Sequence, residues 1–278
     1  YFRNDYGLSC CSGGFCSEYE CRIWLYRRKT RKMIEGLIPA NGSTPTSLIL
    51  SAGATYNDTV YIQLPVGSES TPASALDGGT TLAINAGYHV FVTKNPTTGD
   101  VKPLWSLSAV NPMMPPGYTQ RRIIGGFLTD ASGNIRKGLW RGDGSFDLSI
   151  GLPWIMSLNV SETPYGNPFG LYTLPVPQGL KIKARVTVVA WDTGDAGSPG
   201  FYVILKDPDT GPVSGTNIDN SASFIKPAGF NINYPLDVWT DSAGQIFIGS
   251  HDGASPVWQH KMVHVYALGF THPRTENV

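Results

Sequence analysis

The feature that most constrains this chain is a two-residue period with almost no helical period beside it. In residues 181–191, Ile182, Ala184, Val186, Val188 and Ala190 fall on one side, while Lys181, Lys183, Arg185 and Thr187 fall on the other. Successive side chains of a strand point to opposite faces, so this is the pattern of a half-buried antiparallel strand. Similar runs occupy 46–51, 59–64, 88–93, 201–206, 245–248 and 263–268. No stretch of 11 or more residues keeps a 3.6-residue period without Gly or Pro,. Thirty-two glycines and 21 prolines punctuate the runs, in turn clusters such as Asn95-Pro96-Thr97-Thr98-Gly99,. About a dozen short strands so separated predict an all-β protein of sandwich or barrel type.

The first 32 residues read differently. They hold all four cysteines (Cys10, Cys11, Cys16, Cys21) and seven bases against three acids, a net +4. The remainder carries 14 bases and 18 acids, a net −4, so the formal neutrality of the chain is a cancellation. Cys-Cys-x4-Cys-x4-Cys is no standard zinc spacing. A disulfide staple needs an oxidising compartment that the cysteine-free remainder does not suggest. A third reading makes the segment non-native, with Met33, after Arg27-Arg28-Lys29-Thr30-Arg31-Lys32, as the true first residue; this is the expectation adopted for 1–32, which is assigned to no domain.

Three sequence echoes suggest a tandem repeat of about 110 residues. Leu64-Pro65-Val66 returns as Leu174-Pro175-Val176, and Lys94–Val101 returns as 206–213. Thr129-Asp130-Ala131-Ser132-Gly133-Asn134-Ile135 returns as Thr240-Asp241-Ser242-Ala243-Gly244-Gln245-Ile246. Asp-x-x-Gly and Pro-x-x-Gly are also what hairpin turns require, which is the plain alternative. The expected organisation is two tandem antiparallel β-sandwich-like domains, 33–150 and 151–278, joined within 151–167.

Chemistry is hard to find. There is no Gly-x-Ser-x-Gly elbow, His-Glu-x-x-His pair, Walker loop or dinucleotide-binding glycine pattern,. His260 and His264 share a strand face about 13 Å apart, too far to chelate one ion, and read as exposed strand residues. From Met33 onward only four glutamates occur, none inside an apolar strand that would raise its pKa as glycosidase chemistry needs,. Arg141-Gly142-Asp143, an integrin-type tripeptide, carries almost no information in a glycine-rich turn. Net neutrality and two isolated basic pairs supply no phosphate-tracking stripe. No apolar run reaches the length of a membrane helix. No catalytic residue, cofactor, metal, nucleic-acid partner or membrane insertion is expected. The aromatic residues Trp191, Tyr202, Trp239 and Trp258, with Asp192, are candidate ligand or receptor contacts. Arg121, Arg122, Arg136 and Trp140 are candidate subunit-interface residues.

The stretch 88–140 is specific enough to resemble a known family. It runs Tyr88-His89-Val90-Phe91-Val92, then Asn95-Pro96-x-Thr98-Gly99, Pro112-Met113-Met114-Pro115-Pro116-Gly117-Tyr118-Thr119-Gln120-Arg121-Arg122-Ile123, and Thr129-Asp130-Ala131-Ser132-Gly133-Asn134-Ile135. This order is similar to a module of structural proteins of tailed bacteriophages and prophages, often of tail or tail-fibre type. The similarity continues loosely through Leu174-Pro175-Val176-Pro177-x-Gly179 to Gly269-Phe270-x-His272-Pro273-Arg274. A departure follows Ile135, where Arg136-Lys137-Gly138-Leu139-Trp140 stands in place of an aromatic–x–Gln step. The resemblance implies a virion component (tail fibre, spike or head fibre) that assembles in the bacterial cytoplasm as a homo-oligomer, a trimer for fibre proteins. Its partners would be itself, other virion proteins and a host-surface glycan or protein. Residues 33–150 would attach to the particle. Residues 151–278 would face outward with long loops at 192–200 and 210–228. The competing readings are a lectin-like carbohydrate-binding sandwich and, more remotely, a polysaccharide depolymerase.

Overall fold

The computed structural model describes residues 33–56, 61–149, 156–159, 170–192, 201–210, 222–226, 232–252 and 261–273. The expectations about 1–32, its cysteines and Met33 as a start, and about the loops within 192–200 and 210–228, therefore lie largely outside the described residues.

The described chain is all-β with one short helix. Six short strands come first: β1 Met33–Gly36, β2 Pro39–Asn41, β3 Leu48–Leu50, β4 Gly53–Tyr56, β5 Tyr61–Leu64 and β6 Ser68–Ser70. They form two three-stranded sheets, β1-β4-β5 and β2-β3-β6. The helix α1, Pro72–Ala75, is a single turn started by a Thr71/Ser74 capping box and a proline at its first position,. Then come β7 Gly87–Lys94, β8 Val101–Ser106 and β9 Gln120–Leu128, which pair in the order β8-β7-β9.

The rest of the chain builds two larger sheets from β10 Gly138–Trp140, β11 Ser145–Leu148, β12 Met156–Asn159, β13 Gly170–Thr173, β14 Lys183–Asp192, β15 Phe201–Lys206, β16 Ala222–Lys226, β17 Ile232–Trp239, β18 Gln245–Asp252 and β19 Lys261–Thr271. One is six-stranded, β10-β11-β19-β14-β17 with β12 also on β19; the other is four-stranded, β13-β18-β15-β16. Every strand pairing is antiparallel. The six-stranded sheet crosses residue 150, because β10 and β11 extend it from the earlier part of the chain.

Packing follows the alternation read from 181–191. Ala184, Val186 and Val188 are buried at 1%, 0% and 0% exposure, and they share one cluster with Val203 and Leu205 of β15 and Ile246 and Ile248 of β18. The six- and four-stranded sheets thus face each other across a dry core, in sandwich fashion. The same cluster continues through Val90, Ile124, Phe127 and Trp105 of the β8-β7-β9 sheet to Leu48, Leu50 and Ile62. A second, smaller cluster of Phe91, Leu104, Ala109 and Ile123 covers the other face of that sheet.

Only one of the three sequence echoes occupies equivalent positions. At Thr129, the backbone N–H donates to Ala86 O (2.9 Å) and the Ala86 N–H donates to Thr129 Oγ1 (2.8 Å), just before β7 begins. At Thr240, the N–H donates to Ile182 O (2.9 Å) and the Ile182 N–H to Thr240 Oγ1 (3.2 Å), just before β14 begins. In the turns that follow, the Asp130 and Asp241 carboxylates accept from the N–H four residues on, at 2.9 and 2.8 Å. Gly133 and Gly244 take φ of 77° and 73°, the left-handed region where a side chain would be strained,. The other echoes are turn chemistry alone. Lys94 ends β7, the strand that starts at its anchor, whereas Lys206 ends β15 in a different sheet from β14. Val66 is 72% exposed, whereas Val176 is 4% exposed.

Candidate functional site

The outer face of the six-stranded sheet collects polar side chains in a line. Register places Lys183 opposite Trp239, Arg185 opposite Asp237, and Thr187 opposite Pro235. On the other flank Arg185 lies opposite Gly269 of β19, which lies opposite Asp147 of β11. Gly269 sits where a Cβ would come within 2.0 Å of Phe146 O, so no side chain stands between β14 and β11 at this level. The Arg185 guanidinium reaches across that gap: Nη1 contacts Asp147 Oδ1, and Nε donates to Asp237 Oδ1 at 3.4 Å. Arg141 Nε and Nη2 donate to Asp147 Oδ2 at 3.0 and 2.9 Å, and Lys183 Nζ lies 3.3 Å from Asp237 Oδ2. A ladder of three cations and two anions thus crosses the sheet, Arg141–Asp147–Arg185–Asp237–Lys183, and ends beside Trp239, which is 45% exposed.

Half-exposed ion pairs of this kind stabilise by about 0–1 kcal/mol each, so the ladder is not what holds the sheet together. It fixes a flat strip of donors and acceptors beside an indole. Both carboxylates accept from the same guanidinium, which ties them together as fixed members of the ladder. Among the described residues no group of three His, Cys, Asp or Glu is placed to hold a metal ion. The arrangement is equipped to bind, by stacking and hydrogen bonds.

The expected contact residues distribute unevenly. Trp239 is on the edge strand β17 as part of this face. Trp191 and Asp192 end β14 opposite Met262 and Lys261, and Tyr202 lies on β15 opposite Ile225 and His251, described at the level of the backbone. Trp258 lies outside the described residues, as does His260.

Two of the four expected interface residues, Trp140 and Arg122, need correction. Trp140 is 6% exposed: its indole N–H donates to Gly126 O (2.8 Å) and its ring packs 4.6 Å from Phe146. Arg122 is 4% exposed, and desolvation lowers its guanidinium pKa from the usual value. Both belong to the interior of the chain, so neither offers a surface to a sister subunit. Arg121 Nη2 donates to Val110 O (2.5 Å), and Arg136 Nε donates to Thr129 O (3.1 Å), so both secure local loops.

The histidines also differ from expectation. His264 is 1% exposed, not a surface residue. His89 and His272 are buried together: His89 Nε2 donates to Gln178 O at 2.6 Å, which leaves Nδ1 as the acceptor for the Nε2–H of His272 at 2.8 Å,. In the Arg141-Gly142-Asp143 tripeptide, Asp143 Oδ1 accepts from the Ser145 N–H (2.9 Å) and hydroxyl (2.6 Å), closing a local turn.

Sequence reasoning missed the ladder. The alternation of 181–191 put Lys183, Arg185 and Thr187 on the polar side, but Asp147 and Asp237 come from strands far away in sequence, and no local signal pairs them.

No protein-family model matches this chain, and no curated protein matches it. Among solved structures it is similar to the N-terminal CBM22-1–CBM22-2 tandem domain of Xyn10C from Paenibacillus barcinonensis. That likeness covers 87% of this chain and 97% of that one at 8% identity with a TM-score of 0.25.

Proposed function

We propose that this chain is a non-enzymatic structural component of a tailed-phage particle, a tail fibre, spike or head fibre. It contacts a host-surface glycan through the outer face of the six-stranded sheet. The observation that carries the binding part is the half-exposed Trp239 set directly beside the Lys183–Asp237–Arg185 ladder. An indole accepts the apolar face of a sugar ring, and adjacent fixed charges hydrogen-bond its hydroxyls. The particle assignment rests on the motif order of 88–140. Its aromatic members form a unit in which Tyr88 stacks on Phe127 at 5.1 Å and Trp105 meets Phe127 edge-on at 5.4 Å. In this reading the sheets within 33–150 serve attachment, 151–278 faces outward, β10 and β11 join the two parts through the six-stranded sheet, and the assembly is a trimer formed in the host cytoplasm.

A carbohydrate-binding module acting apart from any particle would use the same face, which is why the two are tested separately. Immunogold electron microscopy of phage lysates with an antibody to the chain is expected to label particles. Label confined to the soluble fraction would favour the module. A glycan microarray probed with the full chain and with Trp239→Ala is expected to show signals that the substitution abolishes. Equal signals would show that this face is not the binding surface.

A further inference from the structure

A separate site lies where the β8-β7-β9 sheet meets the segment before β14. The first residues of β7, the end of β9 and the segment 173–178 enclose a cleft of about 570 Å³. That volume falls in the range of small-ligand sites, roughly 300–1,000 Å³. Its walls are fixed by the fold. Gly87 lies so close to 176–177 that a Cβ there would meet Pro177 N at 2.6 Å. The Thr129 hydroxyl donates to Ala83 O at 2.7 Å, and prolines 175 and 177 restrict the facing segment,.

The cleft's single cation is Arg136, which attracts the Asp130 carboxylate through space without a hydrogen bond to it. Its Nε donates to Thr129 O (3.1 Å) and its backbone N–H to Leu128 O (2.8 Å), which sets the plane of the guanidinium. Neither Nη has a hydrogen-bond partner among the described residues. The nearby acid, Asp130, accepts instead from the N–H groups of Ser132 (2.8 Å) and Asn134 (2.9 Å) and from Asn134 Nδ2 (3.3 Å). Asn85 and Gln178 add amide groups to the wall, and Leu107 and Pro175 add apolar surface.

An arginine with both terminal nitrogens open fits a planar carboxylate bidentately. Amides suit hydroxyl groups, and an apolar flank suits C–H faces. We propose that this cleft binds a carboxylate-bearing sugar of the hexuronate class, with Arg136 as the carboxylate fork. The proposal is independent of the glycan-binding role assigned to the Trp239 face.

The test is a titration of the full chain, followed by calorimetry or saturation-transfer NMR, with D-glucuronate, D-glucose and inorganic phosphate. Glucuronate is expected to bind, with glucose and phosphate at least tenfold weaker. Arg136→Gln should weaken glucuronate at least tenfold, in the range of a lost charge-assisted bidentate pair. Arg136→Lys, which keeps the charge without the fork, should fall between. Val66→Ser, at a position 72% exposed and outside the cleft, should leave glucuronate binding unchanged. Leu107→Trp, at a half-exposed wall position, should block binding with little change in melting temperature, which covers the case of an unstable Arg136 variant. Absent glucuronate binding, equal binding of glucose or of phosphate, or full affinity in Arg136→Gln or Leu107→Trp would overturn the proposal.

Discussion

The sheet β8-β7-β9 and the six-stranded sheet each rest on strands of eight or more residues, yet they handle polar groups in opposite ways. From Arg122 to Leu128, β9 is buried at seven successive positions, and β7 is buried at six of its eight. In β14, Lys183 and Arg185 alternate with buried Ala184 and Val186. The difference comes from what covers each second face. The Phe91–Ile123 cluster takes in Leu180, while His272, just past β19, reaches His89. In that two-sided sheet His89 is satisfied inside by Gln178 and His272, and Thr93 by Lys102 O at 2.9 Å, while the buried Trp105 indole N–H has no partner among the described residues,. Polar residues of the one-sided sheet pair in the open, as the ladder does.

The strongest way to break this contrast is to remove an anchor of the two-sided sheet. Trp105 is fully buried and packs edge-on against Phe127. Trp105→Ala is expected to cost about 3–5 kcal/mol in denaturant unfolding. A cost below about 1 kcal/mol, the scale of an exposed ladder residue, would show that the sheet is not two-sided in solution.

The Thr anchors compare the sheets at the one place where they are built alike. Thr129→Val leaves the part-buried Ala86 N–H, and Thr240→Val the buried Ile182 N–H, without a hydroxyl partner, and each should cost about 1–3 kcal/mol,. Because the anchors hold different sheets, the double variant should be additive to within about 0.5 kcal/mol. A cost at Thr129 with none at Thr240 would end the equivalence of the two turns.

The histidine pair predicts an acid-sensitive joint. Burial holds His89 below the ordinary imidazole pKa, and its hydrogen bond to Gln178 O offsets that only in part. The folded protein therefore resists protonation that the unfolded chain accepts near pH 6.5. Stability should be level above that pH and fall as pH drops below it, by up to about 1.4 kcal/mol per pH unit for one proton. The facing groups are His272, the Gln178 carbonyl and the Phe91 ring, with no carboxylate among these contacts to rescue the cation. Melting curves at pH 7.5, 6.5 and 5.5 check this, and His89→Gln should flatten the profile.

The smallest effect belongs to the ladder. Arg185→Met should change stability by about 0–1 kcal/mol, and the difference from the parent chain should shrink as salt is raised to 1 M. A loss of several kcal/mol would place the ladder in the structural core rather than on an open face.

The same contrast explains what the sequence disclosed. β14 was legible because one face is wet and the pattern alternates. β9 leaves Gln-Arg-Arg-Ile-Ile-Gly-Gly-Phe-Leu without alternation, since both faces are covered, and its strand character showed only through family resemblance. Trp239 was legible as an aromatic near turns. Its neighbours Asp237 and Lys183 become a site only through cross-strand register, which is a non-local property. Trp140 and Arg122 read as interface candidates because an aromatic or a cation in a glycine-rich stretch carries no mark of burial.

The position of β19 sets the order in which this molecule can be made. It is the last described strand, yet it lies inside the largest sheet, hydrogen-bonded to β14 along one side and to β11 and β12 along the other. During synthesis β11 leaves the ribosome about 120 residues before the strand it needs, so a loop of that size must close before the sheet exists. Until then β11, β12 and β14 present unpaired edges, and truncation from the C-terminal side through β19 should leave an aggregating chain rather than a smaller stable one,.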